Sequence, residues 1–175
     1  MGFKYSVRNV ITEIISGGQT GADRAALDVA IRNRFPYSGW CPKGRRAEGG
    51  VIGSQYKLKE TPVAGYLQRN EWNVRDSEGT VILTFSAQLS GGSKKTAEFA
   101  QKLGRPWIHI ARSPESQSAA SLRIFVEENH IAKLNVAGSR ESKEPGIHQW
   151  VCDVIEDAFF RGTKHPCPPD GSGEG

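Results

Sequence analysis

Apolar segments of strand length alternate along this chain with segments of helical period, and glycine-rich turns stand between them. Residues 10–15 (VITEII) read as a strand and run into Ser16-Gly17-Gly18-Gln19-Thr20-Gly21-Ala22-Asp23, after which Ala26, Leu27, Ala30 and Ile31 recur at helical spacing. The unit repeats. Residues 81–85 (VILTF) read as a buried strand, Ser90-Gly91-Gly92 as the turn, and Thr96, Phe99, Ala100 and Leu103 as a helical stripe ending at Gly104. Residues 107–110 form a third strand, 118–128 a third helix through Leu122, Phe125 and Val126, and 131–136 a fourth strand. Ile147, Trp150, Val151, Val154, Ile155, Ala158 and Phe159 mark the apolar side of a last helix.

Strands separated by helices pair in parallel through right-handed crossovers. The expected fold is therefore α/β: a three-layer, Rossmann-like, doubly wound and mainly parallel sheet. The chain has 175 residues, enough for one domain with a substantial core, and residues 1–161 are assigned to it. Residues 36–75 are broken by Pro36, Gly39, Pro42, Gly44, Gly49, Gly50 and Gly53; a short strand near 37–40 and loops over one edge are expected there, and loops of that length are commonly functional. Residues 162–175 (GTKHPCPPDGSGEG) are too poor in apolar groups to offset their ordering entropy and read as a flexible tail.

No run approaches the length of a membrane span, and residues 1–10 lack a secretory pattern, so a soluble cytoplasmic protein is expected. Cys41, Cys152 and Cys167 are odd in number and form no CxxC pair, which suits a reducing compartment. The net charge of +4 suits an anionic small molecule better than it demands a polynucleotide.

In a doubly wound sheet the ligand lies beyond the carboxyl ends of the strands, where the strand order reverses. Two loops there place glycines at a helix start: Gly17-Gly18-Gln19-Thr20-Gly21-Ala22-Asp23 and Gly91-Gly92-Ser93, followed by Thr96. A helix start leaves unpaired N–H groups, glycine lets them approach an oxyanion, and Thr20, Ser93 and Thr96 add hydroxyl donors. Glycines also make plain tight turns; two such loops in equivalent positions favour an anion site. A third loop, Ala137-Gly138-Ser139-Arg140, adds a cation. A helix terminus contributes about 0.3–1 kcal/mol, up to about 2 when partly buried, whereas micromolar binding needs about 8 kcal/mol. Further charge-assisted contacts are required, and Lys43, Arg45 and Arg46, beside Trp40, are the candidates.

Sharper motifs fail. Residues 39–46 imitate a Walker A spacing, but Arg45 and Arg46 stand where Lys and Ser/Thr are needed. The first turn is G-G-x-x-G, not G-x-G-x-x-G, and the four histidines lack metal-ligand spacing.

The segments SGGQTGADRAALD (16–28), GWCPKGRRAEGG (39–50), YKLKETP (56–62), NVRDSEGT (73–80), LSGGSKKT (89–96) and NVAGSRESKEPGI (135–147) together resemble the molybdenum carrier family. These proteins are similar to molybdenum cofactor carriers, within a wider Rossmann-like group that includes lysine-decarboxylase-like phosphoribohydrolases. The resemblance runs from about residue 10 to 160. It implies a cytoplasmic homo-oligomer, dimer or tetramer, that binds and protects molybdenum cofactor (molybdopterin) without catalysis and meets cofactor-synthesis or molybdoenzyme partners. The enzyme alternative is a nucleoside 5′-monophosphate phosphoribohydrolase with Glu98 or Asp23 as the acid/base group. Nucleic-acid binding rests on charge balance alone and ranks last.

Overall fold

The computed structural model describes residues 10–160. β1 (Glu13–Ile15), α1 (Ala22–Arg32) and β2 (Tyr37–Ser38) form the first strand–helix–strand unit. Four two-residue strands follow: β3 (Trp40–Cys41), β4 (Arg46–Ala47), β5 (Gly50–Val51) and β6 (Lys59–Glu60). Then come α2 (Tyr66–Asp76), β7 (Gly79–Thr84), α3 (Gly91–Lys102), β8 (Trp107–Ala111), α4 (Ser118–Glu128), β9 (Lys133–Gly138) and α5 (Ile147–Phe159).

The central sheet has five strands in the order β2-β1-β9-β7-β8, all parallel. Its register places Ile14 beside Tyr37 and Leu134, and Val81 beside Val136 and Ile108. Alternation divides each strand between two faces. Ile14, Val81, Leu83, Leu134 and Val136 join the apolar sides of α1, α4 and α5 in the main core. The intervening positions include Thr80 and Asn135, and the Asn135 amide donates to the Thr80 hydroxyl at 3.2 Å. α2 and α3 pack on each other.

The fold is the one expected, with helices flanking a parallel sheet. Elements not expected stand in the stretch read as irregular: the short strands β4, β5 and β6, and α2, which begins within it. β3 pairs with β6, and β4 with β5 forms a small antiparallel hairpin. The tail assigned to residues 162–175 lies outside the described residues. Among the described residues no helix is long and apolar enough to cross a membrane.

The last strand, β9, sits between β1 and β7. The carboxyl ends of these three central strands are therefore adjacent, and the loops that follow them open at one edge. That edge is where a doubly wound sheet has room for a ligand.

Candidate anion site

A cleft of about 450 Å³ lies at this edge, lined by residues that follow β1, β7 and β9 and by one side of α2. Its size falls in the range of small-molecule sites, roughly 300–1,000 Å³.

The turn after β1 is stitched into the protein itself. The Gln19 amide donates to Asp23 Oδ2 at 3.3 Å, the Thr20 amide to Gln19 Oε1 at 3.1 Å, and the Ala22 amide to the Ser139 carbonyl at 3.1 Å. Gly21 has φ +80°, and a Cβ there would run into the Ser139 carbonyl, so a side chain is excluded by both backbone conformation and space. Gly17, Gln19 and Asp23 line the cleft, whereas Gly18 backs onto Ile52 and Leu58. Of this turn the cleft therefore meets Gly17, Gln19 and Asp23, and the amides of Gln19, Thr20 and Ala22 are taken by the protein itself.

Carboxylates of the chain close the neighbouring clusters of N–H groups in the same way. Glu141 accepts from the amides of Gly146 and His148 at the start of α5. Glu144 accepts from the amides of Phe85 and Ser86 just beyond β7, at 2.7 and 2.9 Å. Burial works to raise the Glu144 carboxyl, but these amides outweigh it and hold it below the usual carboxylate range.

The start of α3 is different. The amides of Gly91, Gly92 and Ser93 donate to no other described residue, and the first bond of the helix is from the Lys94 amide to the Ser90 carbonyl, at 3.3 Å. Ser90, Gly91, Gly92, Ser93 and Thr96 all line the cleft. The Thr96 hydroxyl donates back to the Gly92 carbonyl at 3.0 Å, so its hydrogen is already used within the helix. No acidic residue occupies the first turn.

Three cations line the same cleft as this helix end. Lys143 donates to the Ser90 hydroxyl. Arg140 and Arg69 both lie over the Tyr66 ring, with guanidinium carbons 5.0 and 5.6 Å from its centroid. Arg69 Nη1 also pairs with Asp23 Oδ2 at 2.8 Å. Burial pushes the Asp23 carboxyl up, against the pull of Arg69, the Gln19 amide and Arg24. Gly17 is glycine because a Cβ there would overlap the Arg69 guanidinium.

Other expected residues lie elsewhere. Lys43 and Arg46 are exposed and do not line the cleft. Arg45 is a staple for its own loop: its guanidinium donates to the carbonyls of Ile52, Leu58, Gly53 and Tyr56, at 2.7–3.4 Å. Cys41 is buried, and burial pushes its thiol up, away from thiolate chemistry. Glu98, the acid/base candidate of the enzyme alternative, is exposed, paired with Lys95 at 2.7 Å and outside the cleft.

The family model that matches this chain covers residues 14–159, from β1 to the end of α5. The chain belongs to the circularly permutated YpsA SLOG family. A crystal structure described as a "putative molybdenum carrier protein" from Syntrophus aciditrophicus SB is 46% identical, with 87% of this chain and 96% of that chain covered and a TM-score of 0.82. A comparison with curated proteins found no match.

In this member of the SLOG family, α2 supplies the part of the cleft that sequence reading missed. Tyr66, Arg69, Asn70 and Asn73 fall at i, i+3, i+4 and i+7 and line the cleft together. The signal was present, but as a polar stripe rather than an apolar one. Asn73 is occupied with the backbone of Trp40, accepting from its amide at 2.8 Å and donating to its carbonyl at 3.0 Å. Glu48 and Lys143 also line the cleft and were not singled out.

Proposed function

We propose that the protein is a carrier whose cleft holds molybdenum cofactor, a pterin bearing a phosphate and a molybdenum oxo group, and that it performs no chemistry on it. The observation that carries this reading is the contrast among the loops at the sheet edge. Groups of the protein accept amides of the turn after β1, of the segment just beyond β7 and of the start of α5, while the amides of Gly91, Gly92 and Ser93 donate to no other described residue and lie in a cleft also lined by Arg69, Arg140 and Lys143. A phosphate fits that set: three N–H donors at the positive end of a helix, with cations alongside. The Tyr66 ring and the amide of Asn70 are at hand for a planar heterocycle.

Magnitudes are adequate. A partly buried helix end contributes up to about 2 kcal/mol, and hydrogen bonds to charged groups about 1.5–3 kcal/mol each. With Arg140, Lys143 and Arg69 engaged, the roughly 8 kcal/mol of micromolar affinity is within reach. The carrier works as a cytoplasmic homo-oligomer that receives cargo from cofactor synthesis and yields it to molybdoenzymes. A 46%-identical structure named as a molybdenum carrier supports this choice of cargo over other anions.

Incubating purified protein with molybdenum cofactor tests it. The cofactor is expected to co-elute and to raise the melting temperature, and ribose 5-phosphate is not expected to appear when nucleoside monophosphates are supplied. Absence of co-elution, or release of ribose 5-phosphate, would overturn it.

A further inference from the structure

Glu48, on the turn of the β4–β5 hairpin, reaches into the cleft and occupies a set of donors that would suit a guest anion. Its Oε1 accepts from the Thr20 hydroxyl and from the Ser142 amide at 3.1 Å; its Oε2 accepts from the Ser142 hydroxyl. Arg140 stands close enough to favour the charged carboxylate. Beneath it, Gln19 accepts from the Glu48 and Thr20 amides at 2.8 and 3.1 Å, while Gln19 Nε2 has no partner although the residue is only 4% exposed and lines the cleft. A buried amide with an unused donor is costly unless something else takes the hydrogen bond.

We propose that these groups form a second oxyanion subsite, plugged by Glu48 until a guest displaces it. The donor set is one backbone amide, two hydroxyls, a guanidinium and the spare Gln19 Nε2. It would take a tetrahedral or oxo anion in place of a carboxylate.

The two subsites share one loop. Ser142 holds the Glu48 carboxylate, and the next residue, Lys143, is tied to Ser90 at the start of α3. Glu48, Ser142, Lys143 and the start of α3 line one cleft, so two anionic groups of one small molecule can be held there together. The preferred ligand is therefore one with an anionic group at each end, and the hairpin yields when the second group enters. Glycines at 49 and 50, with φ +75° and +135°, follow Glu48, and a Cβ at either would meet no atom within 4 Å. The turn thus has open space around both glycines. This rests on the proposed α3 site as the place of the first group.

Titrating the ¹⁵N-labelled full chain with inorganic phosphate separates the two sites residue by residue. In the wild type the Gly92 and Ser93 amide signals are expected to move saturably and that of Ser142 to stay still. In Glu48→Ala the Ser142 signal should titrate as well. Glu48→Gln keeps the side chain's bulk but removes its charge, and covers the case in which the shorter residue unsettles the loop; Ser142 should respond there too. A silent Ser142 in both variants while Gly92 and Ser93 respond would overturn the second subsite and leave the proposed function intact. Response of Ser142 alone would support the subsite and overturn the α3 site; silence at all three residues in every protein would overturn both.

Discussion

Arg69 Nη1 lies 2.8 Å from Asp23 Oδ2, with the two side chains only 7% and 10% exposed. This buried pair joins α2 to the first turn of α1, and both residues line the cleft. Removing one partner of such a pair leaves an uncompensated charge, which costs about 3–5 kcal/mol. Arg69→Met should therefore destabilise the protein by about that amount in urea unfolding at neutral pH.

The same variant should be less affected in acid. Burial already pushes the Asp23 carboxyl up, and loss of Arg69 removes the main opposing pull. A carboxyl with a raised folded pKa contributes stability that is complete below its unfolded value, 3.8, and lost as pH rises through the folded one. The stability gap between wild type and Arg69→Met is expected to narrow as pH falls from 8 toward 4; a gap independent of pH would show that Asp23 is not the group left exposed to the loss.

Gly17→Ala sets a methyl group against the Arg69 guanidinium. Overpacking of this kind costs about 1–3 kcal/mol. The variant should be less stable in thermal unfolding and should bind anions more weakly, since Arg69 must shift. Both effects should disappear in an Arg69→Ala background.

Arg45 separates a local staple from a ligand contact. It donates to four carbonyls of residues 52–58, a planar fan that an ammonium cannot reproduce. Arg45→Lys should make this loop a site of rapid proteolysis. Ligand affinity should change less than in Arg140→Ala.

Glu78 ties β7 to the start of β9 by accepting from the Lys133 amide at 2.9 Å and from the Ala132 amide. These amides hold its carboxyl below the usual range. The depressed pKa means stability present above the unfolded value of 4.5 and lost as pH falls through the folded value. Below about pH 4.5, wild-type stability should fall more steeply with pH than that of Glu78→Gln.

What the sequence disclosed follows from where the apolar groups stand. α1 and α5 are buried along apolar stripes against the sheet, so their period is plain in the residues. α2 buries Arg69, Asn73 and Val74; its inward side faces a polar cleft, and a search for apolar period passes over it. Glu48 and Arg45 show the same limit. Each is a charged residue in a glycine-rich loop, and only coordinates reveal that one closes on Ser142 while the other turns back on its own carbonyls. The two glycine turns looked alike as residues. Three amides of one, those of Gln19, Thr20 and Ala22, are taken by Asp23, Gln19 and Ser139, and the last of these acceptors lies far along the chain, where no local pattern encodes it.

Equilibrium binding of molybdenum cofactor to the wild type and to Arg140→Ala/Lys143→Ala tests the anion site most directly. Loss of two charged hydrogen bonds worth about 1.5–3 kcal/mol each predicts an affinity lower by about a hundredfold or more in the double variant, with the fold retained. Equal affinity in the two proteins would contradict a site built on the open end of α3 and the cations that line the same cleft.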